Sequence, residues 1–192
     1  MKNIIIIFLF LLNLQSFTKA DEISDFEIEG MSIGDSLLDF YSKKEIKDFY
    51  NYDNLPSDMK FRIADDDFSS NLNQYEALQF FYKPQDRKFI IHNISGRIFC
   101  KNDNECNNIL ESIKSDISKS FVNKQLKKRN FKHVDDPSGK SIVVMYSINL
   151  NKGTINIGYT NWSENVKYSD HIGVSISTTE VINWTRNNYG AN

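Results

Sequence analysis

The residue with the clearest capacity for covalent chemistry is Ser36, in the tetrapeptide Gly34-Asp35-Ser36-Leu37. A serine attacks a carbonyl when a histidine accepts its proton, an acid orients that histidine and backbone amides hold the oxyanion. Such a serine stands on a tight turn after a buried strand, but the preceding segment FEIEGMSI is too polar for one. The sequence has no Asp-x-x-His segment that could supply both the histidine and the acid that orients it. Asp170 and His171 are adjacent, and adjacent residues cannot easily place an acid, a histidine and a serine in a hydrogen-bonded line.

The tetrapeptide itself resembles the motif of the GDSL-type serine esterases. That resemblance implies ester hydrolysis centred on Ser36 and an α/β fold with parallel strands. The surrounding residues favour a structural role instead, because Ser32 and Asp35 form a helix-capping pattern and Leu37 continues an apolar helical face. We expect a protein without catalytic activity or a cofactor, and a GDSL-like esterase centred on Ser36 is the alternative.

Two other segments match ligand-binding motifs only in part. The segment DDPSGKS (135–141) ends like a phosphate-binding loop, but Val134 stands where the first glycine belongs and a strand follows. It therefore predicts a turn. The acidic run Asp65–Asp67 lacks the spaced carboxylates of a calcium loop, so we expect a solvated acidic loop there.

The chain has three histidines, His92, His133 and His171, which stand far apart in the sequence. A zinc site needs several ligands that converge in space, and the sequence leaves their convergence open. We predict no metal site.

The two cysteines, Cys100 and Cys106, are close together in the sequence. Close pairs in exported proteins usually form disulfides, whereas redox pairs favour Cys-x-x-Cys and metal sites need more ligands than two thiols. We predict a structural disulfide between them.

Large aromatic side chains are frequent in the C-terminal third, at Tyr159, Trp162, Tyr168, Trp184 and Tyr189. Tryptophan and tyrosine are common both in protein cores and in binding hot spots. The sequence favours the core for this group and leaves a binding surface open. The candidates for such a surface are Trp162, Tyr168 and His171.

The first twenty residues have the layout of a secretory signal peptide, with Lys2, an apolar run over Ile4–Leu14 and the small residues Thr18 and Ala20. The run is shorter than the roughly 20 residues that cross a bilayer. We expect residues 1–20 to be removed, leaving a single periplasmic or secreted domain over 21–192 with no integral membrane segment. The formal net charge of −2 argues against nucleic acid as a partner.

Hydrophobic periodicity predicts the elements that must position these residues. A period of 3.6 residues predicts two short helices, or one bent helix, across about 33–50. It also predicts a long helix from Cys106 to Phe121, capped by Asn102 or Asn104, and a closing helix that Ser177 caps. The basic residues after the long helix are expected at its solvated end, with a patch for an anionic partner as the alternative. They are Lys124, Lys127, Lys128 and Arg129.

Alternating apolar residues predict six strands, around 59–63, 75–83, 89–99, 142–148, 155–159 and 172–176. Gly96, inside the third of them, indicates a bulge or a close approach of another group to the backbone. Because the connections are of hairpin length, we predict an α+β fold in which a single antiparallel sheet carries its helices on one face.

Three stretches of the chain resemble a group of exported proteins from marine alphaproteobacteria of the Pelagibacter type. These stretches are EGMSIGDSLLDFYSKKEIK, DDPSGKS and NWSENVKYSDHIGVSISTTEVINW. The likeness implies a bacterial envelope or the exterior as the compartment, and it assigns no functional residue.

The sequence also shows a fainter fold-level similarity to outer-membrane assembly domains of the SmpA/OmlA type, in which a GM-S/T segment leads into short helices. The chain departs from these domains because it lacks a lipobox cysteine and has its own pair of cysteines. We expect a binding domain for an unidentified protein, envelope component or small ligand.

Overall fold

The computed structural model describes residues 22–51, 59–67, 72–121 and 123–189. The predicted signal peptide lies outside the described residues. Within them, eight strands form an antiparallel sheet in the order β1-β2-β3-β4-β8-β7-β6-β5. The strands are β1 (Tyr50–Asn51), β2 (Arg62–Asp66), β3 (Ala77–Tyr82), β4 (Asn93–Phe99), β5 (Lys127–Lys132), β6 (Ile142–Leu150), β7 (Gly153–Asn161) and β8 (His171–Thr178). The α-helices are α1 (Lys43–Asp48), α2 (Asp103–Ser120) and α3 (Thr179–Tyr189). The predicted α+β class and antiparallel sheet are confirmed.

The sheet has one apolar face, made by side chains that alternate along each strand. Ile94, Ile176, Ile155 and Ile148 are direct neighbours across β4, β8, β7 and β6, and all four are buried. Because successive strand residues point to opposite faces, the residues between these isoleucines form the other face. Each buried isoleucine contributes about 1.5–3 kcal/mol relative to an exposed one.

Helix α2 packs its apolar stripe into this main core. Cys106, Leu110 and Ile117 are buried there, as the predicted 3.6-residue period requires. The helix begins at a cap made by Asn102, whose side-chain oxygen accepts the N–H of Glu105 at 3.0 Å. One of the two predicted caps is thus confirmed.

Helix α3 packs on the opposite face, so the prediction that all helices lie on one face is wrong. Its residues Val181 and Trp184 form a second buried cluster with Phe61 and Phe81. Phe81 follows Phe80, which belongs to the main core, and adjacent strand residues point to opposite faces. Burial of Trp184 against Phe61 and Phe81, with ring centroids 5.4 and 5.9 Å away, draws α3 onto this second face.

The N-terminal helices are shorter than the predicted span of 33–50. A 3₁₀ turn covers Leu37–Asp39, and α1 begins after Ser42, which forms a complete capping box with Glu45. At the other end of the chain, the cap of α3 is Thr178 instead of the predicted Ser177, because the Thr178 hydroxyl accepts the N–H of Val181 at 3.2 Å.

The basic run after α2 is also placed differently from the prediction. Helix α2 ends at Ser120, and Lys127–Arg129 belong to the edge strand β5. All six residues of β5 are exposed, so an apolar alternation that would reveal a strand is missing. Charged residues are typical of edge strands, where they discourage pairing with another chain.

Gly96 provides the close approach that its position in a strand predicts. A Cβ atom at this residue would collide with the ring of Tyr75, which packs against the main core. No helix among the described residues is both long and apolar enough to cross a membrane.

The predicted disulfide is present. Cys100 follows β4 and Cys106 lies in the first turns of α2, with 5.4 Å between their Cα atoms. The bond therefore ties the strand to the helix that covers the apolar face.

We expect a variant with both Cys100→Ser and Cys106→Ser to lose about 2 kcal/mol of the free energy of unfolding, because the short loop regains its entropy in the unfolded chain. Urea denaturation of the oxidised wild type and the double variant measures the difference. An unchanged midpoint would show that the bond does not stabilise the fold.

Candidate functional site

The predicted binding residues Trp162, Tyr168 and His171 lie at one end of the sheet. The loop of residues 162–170 joins β7 to β8, and His171 is the first residue of β8. The structure brings Trp162 and Tyr168 together, with ring centroids 4.8 Å apart. His171 packs instead against Phe99 on the neighbouring strand, at 6.0 Å.

A second loop adds His133 and Val134 to this end of the sheet. The His133 ring lies 4.1 Å from the Trp162 ring, on the turn between β5 and β6. Tyr168 is 61% exposed, and Val134, the residue after His133, is 80% exposed. We call His133, Val134, Trp162 and Tyr168 the aromatic cluster.

Asp136 fixes the two loops of the aromatic cluster to each other. Its carboxylate accepts hydrogen bonds from the Ser138 N–H (2.9 Å), from the Ser141 N–H and hydroxyl (2.8 and 2.6 Å), and from the Ser163 hydroxyl (3.0 Å). Those from Ser141 and Ser138 hold the pKa of Asp136 well below its usual range. The DDPSGKS segment is thus the turn that the sequence predicts.

Asp170 fastens the same loop to the strand that bears the disulfide. Its side chain accepts the Trp162 N–H at 2.7 Å, and its carbonyl accepts the Cys100 N–H at 2.9 Å. The loop that carries Trp162 is therefore held by hydrogen bonds from Asp136 and from Asp170.

The five C-terminal aromatics divide between core and surface. Tyr159 and Trp184 are buried at 7% exposure each, as the sequence favours for the group. Trp162 is half-buried and Tyr168 is exposed, so these two form a surface. The side chain of Tyr189 lies outside the described residues.

The three histidines do not converge. His92 packs on Phe61 at 5.3 Å, far along the strands from the aromatic cluster, and its Nδ1 lies 3.8 Å from Glu180. Burial lowers the pKa of His133 and of His171, which keeps both imidazoles neutral near pH 7. The described part of the chain contains no group of three or more His, Cys, Asp or Glu side chains that could hold a metal ion.

The acidic run is not the solvated loop that the sequence predicts. Asp65 and Asp66 lie in β2 and are each 4% exposed. Asp66 accepts the Tyr41 hydroxyl at 3.2 Å, and Arg97 lies 3.9 Å from Asp65 and 2.7 Å from Asp67. The Tyr41 hydrogen bond to Asp66 and the positive charge of Arg97 near Asp65 offset part of the cost of burying these carboxylates.

Ser36 occupies a structural position. Its hydroxyl donates to the Lys88 carbonyl and accepts the N–H of Leu38 at 3.2 Å, so it caps the 3₁₀ turn. Asp35 accepts the Ser32 N–H at 2.8 Å, but no helix begins at residue 33, and the Ser32 hydroxyl donates to the Phe26 carbonyl instead of capping. The predicted cap at Ser32 is therefore wrong. Among the described residues, no histidine contacts the Ser36 hydroxyl, so a base for serine chemistry is missing there.

A groove that the sequence did not predict lies on the second face of the sheet. It has a volume of about 570 Å³, with α3 on one side and β5 on the other. Its floor combines residues from β3, β4, β6, β7 and β8. The only signal in the sequence was the basic run, which the prediction assigned to a helix end.

No family model matches the chain, and no curated protein or solved structure matches it. The residues and their geometry therefore carry the functional argument.

We expect Asp136→Asn to lower the melting temperature at pH 7, because an amide cannot accept all the hydrogen bonds that the carboxylate receives. A carboxyl group with a lowered pKa stabilises the fold above its unfolded pKa, and this contribution is lost as the pH falls through the folded pKa. The gap between wild type and variant should therefore shrink as the pH falls below about 4.

Thermal denaturation and tryptophan fluorescence between pH 2 and pH 7 would measure this gap. The matched control is Asp135→Asn, because Asp135 is an exposed neighbour of the same charge. Equal effects of the two substitutions would contradict the role of Asp136.

We expect Ser36→Ala to cost about 1 kcal/mol of stability through loss of a cap, and to leave any hydrolysis of short acyl esters unchanged. Urea denaturation and a p-nitrophenyl acetate assay measure the two effects. Loss of a robust wild-type esterase activity would instead establish Ser36 as a nucleophile.

Proposed function

We propose that this protein is a non-enzymatic, periplasmic or secreted binding domain that docks onto a protein partner through the aromatic cluster. The observation that carries the proposal is the ring contact between Trp162 and Tyr168, tilted at 53°, in which Tyr168 remains 61% exposed. An exposed tyrosine on an anchored tryptophan is the kind of residue that dominates protein–protein binding energy.

The supporting contacts make the aromatic cluster a prepared surface. Asp136 joins the turn between β5 and β6 to Ser163, and Asp170 holds the backbone of Trp162. Side chains that are already ordered before binding lose little conformational entropy on association. Val134, which follows His133 in the turn, is 80% exposed.

The compartment is supported by two independent features. Lys2 precedes the apolar run Ile4–Leu14, a pattern typical of export signals. Cys100 and Cys106 form a disulfide, a bond that persists in oxidising compartments. The resemblance to exported bacterial proteins agrees with both.

The GDSL-like esterase receives no comparable support. The Ser36 hydroxyl is engaged by Lys88 and Leu38, and His92 is held on the second face of the sheet by Phe61. A binding domain does not require a serine, a histidine and an acid in contact with one another.

Site-specific photo-crosslinking tests the proposal. Tyr168 is replaced by p-benzoylphenylalanine in the exporting cell, and Phe40, which is 43% exposed in the 3₁₀ region, is replaced in the same way as the matched control. We expect the probe at 168 alone to give a discrete protease-sensitive adduct that excess wild-type protein abolishes.

A second substitution gives the energetic size of the effect. Tyr168→Ser should weaken binding to the captured partner by about 2 kcal/mol, or about thirtyfold in Kd, whereas Phe40→Ser should leave Kd unchanged. Identical adducts from both probes, no adduct from 168, or a protease-resistant adduct would contradict a protein partner at the aromatic cluster.

A further inference from the structure

The groove on the second face of the sheet is separate from the aromatic cluster. It lies towards the end of β8 and the start of β7, at Ser177 and Thr154, whereas the aromatic cluster lies at the opposite ends of these strands. Helix α3 contributes Ile182, Thr185 and Arg186 to one wall. The volume of about 570 Å³ lies within the roughly 300–1,000 Å³ typical of small-molecule pockets.

The floor of the groove combines rows of polar side chains with the apolar side chains of Phe81 and Met145. Strand pairing aligns one polar row across six strands, and all of its members except Ser175 line the groove. In order they are Gln79, Ser95, Ser175, Asn156, Ser147 and Lys127. The adjacent row contains Asn93, Ser177, Thr154 and Asn149. Amide and hydroxyl groups both donate and accept hydrogen bonds, which suits the hydroxyl groups of a ligand.

Lateral hydrogen bonds hold these floor residues in place. The Ser147 hydroxyl donates to the Asn156 oxygen at 2.7 Å, and Thr154 donates to Asn149 at 3.1 Å. Asn93, Ser147 and Ser177 are buried, whereas Ser95, Thr154 and Asn156 are half-buried and so remain partly accessible. The amide and hydroxyl groups of these accessible residues can form further hydrogen bonds.

Asparagine occurs repeatedly on the floor, at Asn93, Asn149 and Asn156. Asparagine and glycine are depleted in strands, where β-branched and aromatic residues pack best. Departures from local preference in the centre of a sheet are expected at functional sites. Gly158 and Gly173, paired in the next row, leave the adjoining surface without side chains.

The charges around the groove have one sign. Four cations, Lys127, Lys128, Arg129 and Arg186, are among the described lining residues, and none of those lining residues is acidic. Strand pairing places Lys127 and Arg129 on the polar face beside Ser147 and Met145. Lys128 has the opposite orientation, with its ammonium 5.6 Å from the Tyr146 ring centroid.

The three cations of this face, Lys127, Arg129 and Arg186, have no ion pair within the described residues. A positive rim over a neutral hydrogen-bonding floor attracts ligands of opposite charge. Arginine in particular suits carboxylate and phosphate groups, which it can bind through two parallel hydrogen bonds.

We infer that the groove binds an anionic, hydroxyl-rich small molecule of the acidic or phosphorylated sugar class. Arg129, Arg186 and Lys127 hold the carboxylate or phosphate, and the half-buried floor residues Ser95, Thr154 and Asn156 bind the hydroxyl groups. This site does not depend on a partner at the aromatic cluster.

Calorimetric titration of the purified protein with matched probes tests the ligand class. Trigalacturonate is compared with maltotriose, a neutral sugar of the same number of rings, and glucose 6-phosphate is compared with glucose. We expect at least one acidic probe to bind at least tenfold more tightly than its neutral counterpart, and to weaken as sodium chloride is raised. The favoured pair identifies the anion as carboxylate or phosphate.

A charge variant locates the site. Arg129→Gln combined with Arg186→Gln should weaken the acidic probe by roughly tenfold or more for each guanidinium lost. The matched control is Arg87→Gln with Lys124→Gln, which removes the same charge from exposed positions outside the groove. Melting temperatures of both variants establish that they fold.

Three outcomes would overturn the inference. The first is equal affinity for acidic and neutral probes, and the second is a lack of binding by both acidic probes. The third is an equal loss of affinity in the Arg129/Arg186 variant and the control variant, which would indicate attraction by overall charge instead of a site.

Discussion

The structure depends on the burial of one face of the sheet beneath α2. Ile94, Ile176, Ile155 and Ile148 form a continuous buried row across four central strands. A slip of one residue in any of these pairings would move an isoleucine to the opposite face and a serine, asparagine or threonine into the core. The apolar face therefore fixes the register, and the register fixes what lies on the second face.

The groove and the aromatic cluster are consequences of this register. The polar row that includes Ser95 and Asn156 is continuous only because the isoleucines one position away are held in line. Trp162 follows the last residue of β7, in the loop that leads to the first residue of β8. Its position therefore follows from the same strand pairing. Helix α3 forms the groove wall because Trp184 is buried between Phe61 and Phe81.

The elements that the sequence predicted correctly are those whose burial is periodic. Strands β6, β7 and β8 and helix α2 bury one side regularly, and their apolar residues repeat with the matching period. β5 was missed because an edge strand with six exposed residues has no such pattern. The buried carboxylates of Asp65 and Asp66 were missed because their partners, Arg97 and Tyr41, are distant in the sequence.

The aromatic cluster was partly predictable from the sequence and the groove was not, because only residues that are close in sequence leave a local pattern. Trp162 and Tyr168 are close in sequence and of a type common in binding surfaces, so they could be proposed together. Their rigid support, Asp136 with Ser163, joins two loops that only the fold brings together. The groove draws its floor from five strands, and no local pattern in the sequence aligns them.

The overall charge of the chain gives little indication of the field at the groove. The formal net charge is −2, but many cations elsewhere are neutralised locally, as Lys60 and Lys83 are by Glu180, and Arg97 is by Asp67. Salt screens charges beyond about 8–10 Å at physiological ionic strength, so a ligand responds chiefly to nearby groups. At the groove these groups are the cations of β5 and α3, and a mildly acidic protein can therefore present a basic site.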